Sequence, residues 1–296
     1  MLRLIMSAVL VNVLALTAAL ADDYPSRPIR FLQGFAPGGN ADVIARVLGD
    51  ELSKSLGQPV ITEARPGAGG NLASDQTAKA SADGYTIVLL TTAHVISPAL
   101  YKSQNFDPVG DFKFISTVSD FPFFFVVGAN SRFKTIKDLV EAARSKPGAV
   151  TFGSAGVGTG QHMCGELFAS SIGAKFVHVP FRGDSAAVTG LLTGDIDFII
   201  APATAVRGNI DGGTFRALAV SGAERWAQLP DVPTVAETVA PGFDMMAWMG
   251  VATARGVPGP VVERLNKELR RVIALPGVEK RWANLEASPG RARRRQ

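Results

Sequence analysis

Residues 29–57 read IRFLQGFAPGGNADVIARVLGDELSKSLG: a short apolar run, a glycine bend, then apolar residues returning at helical spacing until a glycine ends them. Val43, Ile44, Val47, Leu48, Leu52 and Leu56 share one helical face and Gly57 is a stop signal, so the stretch predicts strand, turn and helix in that order. The order recurs. PVITEA (59–64) is followed by the turn PGAGG and a weaker helix from Asn71 to Ala80, and YTIVLLTT (85–92), bounded by Asp83-Gly84, has the β-branched content of a buried strand. In the second half FFFVVG, TFGS, FVHVPF, DFIIAPA and RALAVSG are further short runs. Helices are expected from the Thr135 cap to Pro147 and from near Gln161 and Asp184. WMGVATA (248–254) is a last strand, and Pro260 opens the helix VVERLNKELRRVIA. Alternation at this spacing predicts parallel βαβ units covered by helices. One sheet of all these strands would exceed the usual size, so two α/β lobes are expected, joined near Ser119–Pro122 and Asp244–Trp248.

The chain has 296 residues, 47% hydrophobic and 19% charged, with 31 glycines, 18 prolines and one cysteine, which excludes disorder, collagen and a disulfide scaffold. Its formal charge of +4 would suit a polyanion partner, but the charge is badly placed for one. Setting aside Arg3 and the four arginines among the last six residues leaves 25 basic against 26 acidic side chains, with no basic stripe, so nucleic acid is excluded. Arg3, an apolar run from Leu4 to Leu20 and Ala19-Leu20-Ala21 before two aspartates form a secretory signal peptide, cleaved after Ala21. Residues 22–296 are then exported to an oxidising compartment, where Cys164 has no partner for a disulfide and is expected as a small buried residue.

Two turns share one construction, a strand, a glycine-rich bend and a helix start: Phe35-Ala36-Pro37-Gly38-Gly39-Asn40 and Ser154-Ala155-Gly156-Val157-Gly158-Thr159-Gly160-Gln161. A helix start leaves about four N–H groups unpaired and carries roughly half a positive charge, and glycine lets a ligand approach that backbone. Each turn is therefore a candidate anion cradle, set against the simpler reading of a tight connection. Position 161 is Gln where a G-x-G-x-x-G needs Gly, and no Lys follows either turn as a phosphate-binding loop needs, so two carboxylate cradles facing one cleft are the better reading. Catalytic patterns are thin. Of three histidines, His178 alternates with Val177 and Val179 as a packed strand residue, while His94 and His162 are placed to face the cleft. No carboxylate spacing completes a triad or a metal set, and no cofactor motif is present, so a non-enzymatic binding protein is expected.

These stretches together resemble the periplasmic receptors of tripartite tricarboxylate transporters, the Bug receptors. The resemblance runs from Tyr24 to about Ala274 through YPSRPIRFLQGFAPGGNADVIAR, EARPGAGGN, DGYTIVLLTTAH, FGSAGVGTGQHMCGELF, HVPFRGDSAAVTGLLTGDIDF, LPDVPTVAE and WMGVATARGVP. It implies a two-lobe type II periplasmic binding fold, each lobe a mostly parallel sheet covered by helices, with lobe 1 at 22–120 plus 248–296 and lobe 2 at 121–247. It implies a monomeric receptor that closes on a small carboxylate, a di- or tricarboxylate, an acidic amino acid or an aromatic acid, and passes it to integral membrane transporter subunits; a ligand-sensing receptor for a two-component sensor kinase is the alternative. Carried over position by position, it places Phe35, Ala36, Gly38, Gly39 and Asp42 in the first turn and Thr92, Ala93 and His94 in a second loop of lobe 1. Ser154, Gly156, Gly158, Thr159 and Gln161 form the lobe 2 cradle, flanked by Arg182 and Gly183. Asp42 also suits a first-turn carboxylate favoured by the helix dipole. The chain departs from the family at Gln33-Gly34, where Val-Pro is the expectation, and at the basic ending SPGRARRRQ, which leaves the packing of the last helix open.

Overall fold

The structure, a computed structural model, describes residues 24–101, 103–284 and 288–289. The expected signal peptide with its cleavage after Ala21, and the final arginines, lie outside the described residues. In chain order the strands are β1 (Ile29–Gln33), β2 (Val60–Ala64), β3 (Thr86–Thr91), β4 (Phe112–Pro122), β5 (Phe124–Gly128), β6 (Thr151–Ser154), β7 (Val177–Pro180), β8 (Phe198–Ala201), β9 (Phe215–Val220), β10 (Met246–Ala254) and β11 (Ser288–Pro289). The helices are α1 (Asn40–Leu56), α2 (Asn71–Ala78), α3 (Thr92–Leu100), α4 (Ile136–Ser145), α5 (Gly160–Ser171), α6 (Asp184–Thr193), α7 (Ala203–Asp211), α8 (Val235–Thr238), α9 (Gly259–Ile273) and α10 (Pro276–Asn284).

The opening stretch folds as its pattern dictates. β1 is buried along most of its length, α1 buries Ile44, Val47, Leu48, Leu52 and Leu56, and Gly57 ends the helix in the left-handed region at φ 70°. β1 lies between β2 and β3 and parallel to both, with Ile29 opposite Val60 and Arg30 opposite Thr86. The second sheet repeats the scheme, with β6 between and parallel to β7 and β8. In each sheet the chain leaves the middle strand for one neighbour and returns for the other. That reversal of strand order opens a crevice at the carboxyl ends of the strands, where α/β sheets bind ligands.

The two sheets run β11-β4-β10-β3-β1-β2 and β7-β6-β8-β5-β9. They are mixed: β10 and β11 in the first sheet and β5 in the second run against the other strands, which share one direction as expected. β10 is antiparallel to β3 and β4, and β5 is antiparallel to β8 and β9. β4 runs almost directly into β5 through Phe123, and the chain returns between Val220 and Met246. Ser221 joins the crossings: its Oγ accepts from Phe123 N–H at 2.8 Å and donates to Met245 O at 2.6 Å, while its own N–H donates to Phe123 O at 2.8 Å.

α9 buries Val261, Leu265, Leu269 and Val272 along one stripe. On α10, Trp282 is fully buried and its Nε1 donates to Val118 O of β4 at 2.9 Å, so the last described helix is seated on the first sheet. Thr135 caps α4 in a reciprocal capping box with Asp138, and Cys164 is fully buried, its thiol pKa pushed up by desolvation. Residues 92–94, expected as a loop, instead begin α3. Pro98 lies inside that helix, and the His94 carbonyl its missing N–H would have served accepts from Ser97 Oγ at 3.1 Å.

Candidate ligand-binding cleft

Between the lobes is a narrow cleft lined by the starts of four helices: Asn40 and Ala41 of α1, Thr92 of α3, Gly160 and Gln161 of α5, and Asp184 of α6. Phe35, Phe121, Phe123 and Trp248 supply its aromatic walls. First-turn N–H groups have no intrahelical partner. That of Asn40 donates to Asp184 Oδ2 across the cleft at 3.1 Å, while those of Ala41, Gly160 and Gln161 meet no acceptor among the described residues. Four helix dipoles therefore direct their positive ends at one cleft.

The first turn is held from behind. Asp42 accepts from Gly38 N–H at 3.0 Å, Gln33 Nε2 at 3.1 Å and Arg46 Nε at 2.9 Å, so its carboxylate braces the turn. Burial raises its pKa, but the Arg46 guanidinium and the donors of Gly38 and Gln33 outweigh that and hold it below the usual carboxylate range. Gln33-Gly34, the departure from Val-Pro, also has a local reason. Gln33 Oε1 accepts from Phe35 N–H at 2.8 Å, and a Cβ on Gly34 would lie 2.3 Å from Gly70 Cα, so only glycine fits that crossing.

The second turn is also wired internally. Gly156 and Gly158 have φ of 135° and 79°, which glycine adopts without strain. Their N–H groups donate to Ser154 Oγ at 3.1 Å and His162 Nδ1 at 3.2 Å, while Thr159 caps α5 by accepting from His162 N–H. The free donors of this cradle thus sit one step later than the glycines, at Gly160 and Gln161. Behind them Ser154 Oγ lies 2.6 Å from His178 Nε2, and the His162 and His178 rings stack at 4.0 Å.

Of the residues singled out in the sequence, Phe35, Thr92, Thr159 and Gln161 line the inner cleft. Ala36, Gly156, Arg182 and Gly183 line an outer recess that shares Phe35 and Ala155 with it, and Arg182 is exposed there. Gly38 and Gly39 approach Ser185 and Asp184 of the other lobe. Ala93 is buried behind the cleft, and Ser154 is buried beneath the second turn. His94 is not brought to the cleft. It is buried against Phe106 and Phe112, with Nδ1 3.1 Å from Ser74 Oγ and Nε2 2.8 Å from Pro108 O, and desolvation lowers its pKa although the Pro108 carbonyl opposes this. Asn40, which ends the first turn, and Asp184, which opens a predicted helix, also line the cleft, and Phe121, Phe123 and Trp248 do so without having been singled out.

Residues 44–295 match the model of the tripartite tricarboxylate transporter family receptor, TctC. The chain belongs to this family. The TctC receptor is 42% identical over 258 residues, 87% of the chain and 77% of the relative, to the UPF0065 protein of the tcbD-tcbE intergenic region of a Pseudomonas species. It is 34% identical to BugT of Bordetella pertussis, over 91% of the chain and 83% of the relative. Among solved structures it superposes on an R. palustris protein solved with adipate (TM-score 0.87, 29% identity, 90% of each chain). It superposes also on the periplasmic binding protein BugD (0.86, 32%, 90% and 89%). MatC of Rhodopseudomonas palustris, solved with bound malate, gives 0.86 at 29% identity over 92% and 93%. The two-lobe fold of the receptor is that of these periplasmic binding proteins. Among the described residues no helix is long and apolar enough to cross a membrane and no group of His, Cys, Asp and Glu could hold a metal ion.

Proposed function

We propose that this TctC receptor is an exported, periplasmic solute-binding protein, without enzymatic activity, that closes its two lobes on a small carboxylate and delivers it to the membrane subunits of a tripartite transporter. The observation that carries the reading is the convergence of four helix N-termini on one cleft, with first-turn donors of Ala41, Gly160 and Gln161 unspent among the described residues. Charge-assisted N–H to carboxylate bonds strengthen when closure excludes water. The carboxylates bound by the adipate and malate relatives support the same chemistry here. Calorimetry with mono-, di- and tricarboxylates, aromatic acids and amino acids is expected to show saturable binding of at least one acid. Absence of heat and of thermal stabilisation with every acid would refute the reading. Delivery is tested by uptake of the bound acid in cells with and without the receptor gene; equal uptake would remove the transport role.

A further inference from the structure

Among the residues that line the inner cleft, Asp184 is the one ionisable side chain: no Lys, Arg or His stands with it. Its carboxylate is buried, and its hydrogen-bond partners are neutral, Asn40 N–H at 3.1 Å and the Gln161 amide at 2.9 Å. Buried charges in proteins are ordinarily paired with a counter-charge; among the described residues this one has none, and burial raises its pKa against the opposing Asn40 and Gln161 donors. Beside it, Asn40 is only 4% exposed, and its Oδ1 meets no hydrogen-bond donor. Two acceptors of the protein thus line the space into which the free first-turn donors also open. The donors at Ala41, Gly160 and Gln161 suit one carboxylate. The acceptors at Asp184 and Asn40 suit a cationic donor, and a second carboxylate there would be repelled by Asp184. The remaining walls, Phe35, Phe121, Phe123 and Trp248, suit an uncharged body, and aromatic faces favour a nearby ammonium group.

We propose that the cleft takes a monocarboxylate bearing an ammonium group, that is, a zwitterionic amino acid with an uncharged side chain, and that Asp184 and Asn40 Oδ1 receive its N–H donors. The proposal rests on the carboxylate reading above and narrows it. A hydroxyl in place of the ammonium offers one proton and no counter-charge, so it satisfies Asn40 or Asp184 but does not neutralise Asp184.

The test is calorimetry of the intact mature chain with the uncharged amino acids, each beside its 2-hydroxy and unsubstituted counterparts, and with adipate and malate. At least one amino acid is expected to bind, roughly tenfold or more tightly than its hydroxy and unsubstituted counterparts, the discrimination usual for a hydrogen bond to a buried charge. Asp184→Asn is expected to erase that preference, bringing the ratio of the two affinities to about one whatever change it brings to both. If that variant does not fold, the ranking in the unaltered chain decides alone. Adipate, malate, an unsubstituted acid or a hydroxy acid binding as tightly as every amino acid would overturn the proposal and leave the carboxylate reading standing. Failure of every acid to bind would overturn both.

Discussion

Gly158 shows how a glycine turn works at the level of one residue. Its φ of 79° lies in the left-handed region, its N–H is engaged by His162, and a Cβ built on it would stand 3.1 Å from Leu100 Cδ1 in the other lobe. Gly158→Val therefore acts by backbone strain and by obstructing closure, not by covering a free donor. Strain of this kind costs about 1–3 kcal/mol, so the variant is expected to remain folded by circular dichroism while binding its acid about ten- to a hundredfold more weakly. Unaltered affinity would remove Gly158 from the closing surface. The histidines behind the same turn make a second prediction. Burial first, and the neighbouring His162 second, push the His178 pKa from 6.5 down to about 4, and burial lowers that of His162 against the opposing pull of Glu166. Between pH 6.5 and about 4 the unfolded chain takes up a proton at residue 178 that the folded chain refuses, so stability falls as pH falls through that window. In His178→Gln the decline of the unfolding midpoint between those pH values is expected to flatten; an identical slope would show that residue 178 does not titrate this way. At this scale the sequence reveals where the turns are but not how their donors are spent. Asp42 reads as a dipole partner, yet its oxygens are claimed by Gln33, Gly38 and Arg46, a set distributed along three separate elements of the chain. Asp184 was recognisable only as a carboxylate at a helix start; its role depends on Asn40, 144 residues away.

Among the elements, those with one clean period were legible. α1 and α9 bury regular stripes, and the short apolar strands β3, β5 and β8 are bounded by turn residues. β4 was not, because its pairing with β10 shifts register twice, between Met249 and Gly250 and between Val251 and Ala252, and each irregularity breaks the period-two pattern that marks a strand. α3 was hidden by Pro98, a helix breaker whose missing donor is replaced by Ser97. α10 lies beyond the stretch that carries the resemblance, yet it docks through Trp282, fully buried and donating to Val118 O. Removing a buried Trp side chain typically costs 3–5 kcal/mol, so Trp282→Ala is expected to lower stability by about that amount in denaturant unfolding. A loss under about 1 kcal/mol, the size of a tolerated core swap, would mean that this helix contributes little to the first lobe.

For the molecule as a whole, the repeated order of strand, glycine turn and helix makes two lobes legible, whereas strand direction is not encoded in a short apolar run, so the mixed sheets were out of reach of sequence reading. What the fold adds is a hinge and a latch on one cleft. The hinge is the cluster of Phe123, Ser221 and Met245, where buried hydrogen bonds join the two crossings. Away from it, the hydrogen bond found between the lobes among the described residues is Asn40 N–H to Asp184 Oδ2 at 3.1 Å. One such bond contributes about 1.5–3 kcal/mol at most, against the solvation that the helix N-termini and Asp184 regain when the cleft opens. The free protein is therefore expected to populate an open form, and an acid that binds between the lobes shifts it to the closed one by its preference for that state. Small-angle scattering should record a smaller radius of gyration once the acid identified by calorimetry is added. The contraction should persist in Gly158→Ala only at higher acid concentration, because a Cβ there strains the turn and meets Leu100 as the lobes close. A radius unchanged by a saturating acid would mean that the lobes are already closed when empty, and that Asp184 holds them without help.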